Sequence, residues 1–152
     1  MYALFKTLHI IGVVVLLGNV TITAYWKVLA DRTDDAKLIA HAQHGVTVAD
    51  WIFTLAGIVL ILVGGYGAAA VAGLSLTGPS WLVIGQLLFA VSGLIWLAVL
   101  VPIQIRQART AKLNHDGAIA ARYRRDSRSW LIWGIFATIP LVAAIYVMVA
   151  KP

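Results

Sequence analysis

The chain has 152 residues, of which 61% are apolar and 12% charged, with a net charge of +6. A soluble domain of this length could not bury so much apolar surface, so the bilayer is the expected solvent. The absence of cysteine excludes disulfides, thiolate metal sites and cysteine nucleophiles. The basic residues flank apolar stretches, which points to membrane topology rather than a nucleic-acid partner.

A membrane-crossing helix needs about 20 mainly apolar residues. Four stretches qualify, at about 4–26, 50–73, 81–103 and 130–149. The expected fold is all-α: a polytopic bundle of four transmembrane helices forming a single membrane domain over residues 1–152. The first stretch carries one lysine, is long, and has no A-x-A cleavage site after it, so a retained helix is expected rather than a signal peptide. "GLSLTGPS" (73–80) reads as a tight turn. Ten of the twelve basic residues lie in the connections 27–49 and 104–129. The positive-inside rule therefore puts both connections in the cytoplasm and both termini on the outer, periplasmic side of a bacterial inner membrane. Parts of both connections have helical character, with capping residues at "TDDAKLIAHAQH" and a helix start expected at Asp116.

At 100° per residue, His9, Gly12, Leu16, Asn19 and Thr23 share one side of the first span. Asp50, Thr54, Gly57, Ile61, Gly64 and Ala68 share a face of the second, and Gln86, Ala90, Gly93, Leu97 and Gln104 a face of the third. These faces are expected to point inward, because polar groups in hydrocarbon need partners and small residues let helices approach. Asn19, Asp50 and Thr54 are the expected polar interior, although Asp50 also reads as a cap for the second span or a partner for a loop arginine. Pro140 is expected to kink the fourth span.

His9 is the sharpest single feature: an imidazole about two turns inside its span, able to serve as a hydrogen-bond partner, proton carrier or metal ligand. His41 and His44 lie at the far interface and read as surface residues, and His115 as a loop residue. No Walker loop, nucleophile elbow, zinc-protease signature or dinucleotide fingerprint occurs, and no residue is singled out as catalytic.

"LFKTLHIIGVVVLLGNVTITAYWKVLADR", "VTVADWIFTLAGIVLILVGG" and the closing "WLIWGIFATIPLVAAIYVMVAKP" resemble a family of small bacterial integral membrane proteins of unknown function. More distantly, "KTLHIIGVV" is similar to the first span of HemJ-type protoporphyrinogen oxidases, and the CopD copper-resistance proteins belong to the same loose group. The HemJ resemblance implies that His9 ligates b-type haem. The pocket would be lined by Gly12, Gly64, Gln86 and Gly93. HemJ proteins carry a lysine near the start of their third helix, where this chain reads "SWLVIGQLLF", so the implied haem lacks that partner.

Three functions follow as expectations. The first is a haem-binding redox protein. The second is a cofactor-free accessory subunit or homo-oligomer, with lipid and a second copy or larger membrane complex as partners. The third is transport of a proton, ion or metal past Asp50, Asn19, Gln86 and His9.

Overall fold

The computed structural model describes residues 1–113 and 121–152, and the elements among them are all helical. The readings of His115 and of a helix start at Asp116 lie outside the described residues. The helices are α1 (Tyr2–Asp31), α2 (Ala36–Ala49), α3 (Leu55–Val71), α4 (Ser80–Ile95), α5 (Val101–Leu113) and α6 (Ala121–Ala150). Two five-residue π-helical segments join them without a break, Asp50–Thr54 between α2 and α3 and Trp96–Leu100 between α4 and α5. Four helices are therefore long and apolar enough to cross a membrane: Tyr2–Asp31, Ala36–Val71, Ser80–Ala111 and Ala121–Ala150. Three of the four apolar stretches read from the sequence lie within these helices, and the second, 50–73, begins well inside its helix and runs two residues past its end at Val71. Most of 27–49 is helix rather than loop, leaving only 32–35 as the connection.

The side chains are arranged inside out relative to a soluble protein. Large apolar residues such as Leu4, Ile10, Val14, Leu87, Leu94 and Ile135 are exposed, while Asn19, Lys27, Gln43, Asp50, Ser92, Gln107 and Asp126 are buried. Lipid tails solvate the first set at no cost, whereas polar atoms in hydrocarbon need internal partners.

The chain divides into two compact units, Met1–Leu76 and Thr77–Pro152. In the first, α1 turns through residues 32–35 and packs along α2 and α3. Asp35 caps α2, its carboxylate accepting from the amides of Lys37 (2.8 Å) and Leu38 (3.2 Å). The far end of α3 closes on Gly73, whose φ of +66° suits a residue without a Cβ. There Leu74 N–H reaches back to the Ala69 carbonyl at 3.0 Å. Between these ends the helices touch backbone to backbone. A Cβ on Gly12 would stand 2.7 Å from the amide nitrogen of Ile61, and one on Gly64 would overlap the backbone of His9. Small residues at such a crossing let the two helices share van der Waals contact that bulkier residues would prevent.

The second unit packs α4 and α5 along α6. Ser92 donates its hydroxyl to the Ala137 carbonyl at 2.7 Å, and Gly85 lies against the Met148 side chain. Arg106 reaches the buried Asp126 at 3.4 Å. Its π-helical segment has a covalent cause in Pro102, which has no N–H to offer the Ala98 carbonyl and so disturbs the preceding turn. The inward face of this span matches the expected one at Gln104 and differs from it elsewhere. Leu82, Gly85, Ser92, Leu100, Ile103, Gln104 and Gln107 are buried, whereas Ala90 and Leu97 are exposed. Gln86 does not mark the packing face, because its amide donates to the Leu82 carbonyl on its own helix at 3.1 Å.

Gly64→Leu is expected to destabilise the protein by about 1–3 kcal/mol or more through overpacking, read as a lower thermal midpoint in detergent. Gly93→Ala is the control: a Cβ there meets nothing within 4 Å, so the midpoint is expected to hold or rise slightly.

Candidate functional site

Along α1 the buried residues are Gly12, Leu16, Asn19, Thr23, Lys27 and Ala30, a stripe repeating every three or four positions. The facing stripe runs through Ile39, Gln43 and Val46 on α2, Asp50 and Thr54 in the π-helical segment, and Gly57, Ile61 and Gly64 on α3. Val46, Asp50 and Thr54 are spaced four and four, which suits the wider turn of a π-helix and keeps both carboxylate and hydroxyl on the packed face.

These stripes bring Asn19, Asp50 and Thr54 together. Asn19 donates from Nδ2 to Asp50 Oδ1 at 3.0 Å and to Thr54 Oγ1 at 3.1 Å. Thr54 donates its hydroxyl to the same Oδ1 at 3.3 Å. The triangle is consistent in hydrogens: the amide supplies two, the hydroxyl accepts one and passes on its own, and the carboxylate accepts both. Two donors thus converge on one oxygen of a buried carboxylate. Asp50 does not cap the second span, whose N-cap is Asp35. It lies fourteen residues past the first residue of α2, opposite the middle of α1.

One turn along α1, Thr23 donates to the Asn19 carbonyl at 2.7 Å. A further turn along, Lys27 is buried to 1% exposure, with its ammonium 3.0 Å from Asp31. Gln43 is equally buried, and neither atom of its amide meets a hydrogen-bond partner among the described residues. Lys27 and Gln43 were both missed as interior groups. The register contained the signal: Lys27 continues the four-residue step from Asn19 and Thr23, and Gln43 lies two turns before Asp50.

The residues proposed to line a haem pocket fall in both units. His9, Gly12 and Gly64 meet in the first, while Gln86 and Gly93 belong to the second. His9 donates from Nδ1 to the Ile61 carbonyl at 2.8 Å, which leaves Nε2 as the nitrogen with a lone pair. A metal-binding histidine is commonly oriented in this way. Gly12 and Gly64 do not fit the group, because the space their missing side chains would fill holds the opposing helix, not room for a flat macrocycle. Among the described residues, no three His, Asp or Glu side chains gather as a metal site.

Four membrane-length helices with their polar groups turned inward define a polytopic integral membrane protein. The chain belongs to the family described as predicted integral membrane protein (DUF2269), whose model matches residues 3–152. No curated protein and no solved structure matches the chain, so the resemblance to HemJ and CopD proteins finds no support.

Asn19→Leu removes a donor from Asp50 and another from Thr54, with an expected cost of about 1–3 kcal/mol. The double variant Asn19→Leu with Asp50→Leu is expected to recover part of that loss, because no buried carboxylate then lacks its amide. A thermal double-mutant cycle in detergent measures the coupling.

Proposed function

We propose that the protein takes up and releases a proton inside the membrane at Asp50, as a proton carrier or the proton-responsive part of a larger membrane complex. The observation that carries this reading is the burial of an ionisable carboxylate between two membrane-length helices, with hydrogen donors from Asn19 and Thr54 on one of its oxygens. Ionisable groups at such depth are costly and cluster in proton and ion pathways. The π-helical segment that carries Asp50 and Thr54 strengthens the case, since single wide turns in helices are frequent at functional sites. In the orientation given by the arginine-rich connections, the 32–35 end faces the cytoplasm of a bacterial cell and both termini face outward.

Proteoliposomes with a trapped pH dye test the proposal. Wild-type protein is expected to dissipate an imposed pH gradient faster than empty vesicles, and Asp50→Asn, equally folded by circular dichroism, to fall to the empty-vesicle rate. Equal rates for the two proteins would overturn the proposal and leave Asn19, Asp50 and Thr54 as a packing lock.

A second reading, b-type haem at His9, has one observation in its favour, the Ile61 carbonyl that holds Nδ1 and leaves Nε2 for iron. It predicts a Soret band in detergent-purified protein that is lost in His9→Ala. Protein that stays colourless after haem is supplied removes this reading.

A further inference from the structure

The polar groups around Asp50 are distributed unevenly along the first unit. From Asn19 towards the 32–35 connection, α1 presents Thr23, Lys27 and Asp31, one at every turn. The facing helix presents Gln43 two turns from Asp50, and Thr47 between them. From Asn19 in the other direction the packed face is Leu16, Gly12, Gly57 and Ile61, with backbones in contact. The next polar side chain on that face is His9, ten residues or about 15 Å along α1.

Two further observations show how the polar side communicates with its surroundings. The amide of Gln43 is fully buried with neither atom paired among the described residues, a state that calls for water at that position. A groove of about 450 Å³ between α1 and α2 is lined by Thr23, Ala30 and Thr33 on one side and by Leu38, His41 and Val46 on the other, and it passes beside Lys27 and Gln43 without touching them. Thr23 is in turn hydrogen-bonded to the carbonyl of Asn19. Open space on this side therefore reaches to within one helical turn of the carboxylate's amide partner.

We infer that Asp50 is served from one side, by water that enters through the groove at the 32–35 connection as far as Thr23 and is held beyond it at the buried Gln43 amide, with Leu16 and the glycine crossing closing the opposite side. This inference rests on Asp50 as the proton site, and it adds the side from which the proton arrives. A half-path of this kind exposes the carboxylate to one aqueous phase in this conformation.

The cysteine-free chain makes the test direct. Single variants Thr33→Cys, Thr23→Cys, Gln43→Cys and Leu16→Cys, each checked for a native circular dichroism spectrum, are reconstituted in vesicles and exposed to the charged, water-borne reagent methanethiosulfonate ethylammonium. Thr33→Cys is the surface reference. Thr23→Cys and Gln43→Cys are expected to react, and Leu16→Cys to react about tenfold more slowly or worse, since each unit by which apolar surroundings raise a thiol's pKa cuts its thiolate tenfold. Burial alone predicts the reverse order for two of these sites, because Gln43 is 1% exposed and Leu16 is 4% exposed. Leu16→Cys reacting as fast as Thr23→Cys, or both Thr23→Cys and Gln43→Cys staying unreacted while Thr33→Cys labels, would overturn the path. Labelling in the expected order without proton flux keeps the path and removes the proton reading of Asp50.

Discussion

Two helix backbones touch where Gly12 meets Ile61 and Gly64 meets His9, and this contact sets the register of every polar pair beside it. In lipid, helices gain nothing by hiding leucine from its surroundings, so close packing and interhelical hydrogen bonds must hold them together. The glycines supply the packing. Once Gly57 lies on Leu16, the antiparallel run of the two helices brings Asn19 opposite Asp50 and Thr54, where an amide with two hydrogens finds two oxygens. The Ile61 carbonyl reaches the His9 ring through the same alignment. A side chain at Gly64 would push the crossing apart and lengthen these bonds together.

The second unit uses a different device. Its helices are tied by the Ser92 hydroxyl on the Ala137 carbonyl, three residues before Pro140, and by the Arg106–Asp126 pair towards the other end. Pro140 removes the donor that the Phe136 carbonyl would otherwise receive, which loosens the backbone beside the Ser92 link. Polar links replace glycine contacts here. A glycine on α4 still matters at Gly85, where the flexible Met148 side chain, not a backbone, occupies the space.

Much of the first unit was legible in its sequence, because strongly polar residues recur there at helical spacing within an apolar run. Gly12, Leu16, Asn19 and Thr23 read as one face and are buried as one, and Asp50, Thr54, Gly57, Ile61 and Gly64 likewise. The role of Asp50 was less legible. It precedes the long uncharged stretch 51–105 and so looked like a boundary, while the helix begins at Ala36 with Asp35 as its cap. Hydropathy locates where charge stops, and a buried helix end with a paired lysine carries on past that point. Lys27 shows the same effect, as a positive residue that reads as loop and is buried against Asp31 within α1. In the third span Gln104 is buried as expected, whereas Gln86 is half-buried with a bond back to its own helix, and the smaller Ser92 lies on the packed face. Of the glycines read as lining a haem pocket, Gly12 and Gly64 make room for the opposing helix, while Gly93 borders open space.

The segment Asp50–Thr54 has one more consequence, for chain length. Removing or adding a residue inside an ordinary packed helix rotates everything beyond it by about 100° and turns the buried face outward. A wide turn already holds one residue more than the α-helical count, so losing that residue restores regular winding with both flanking faces still pointing the same way. The surplus residue is what lets a carboxylate and a hydroxyl sit together on the packed face at Asp50–Thr54.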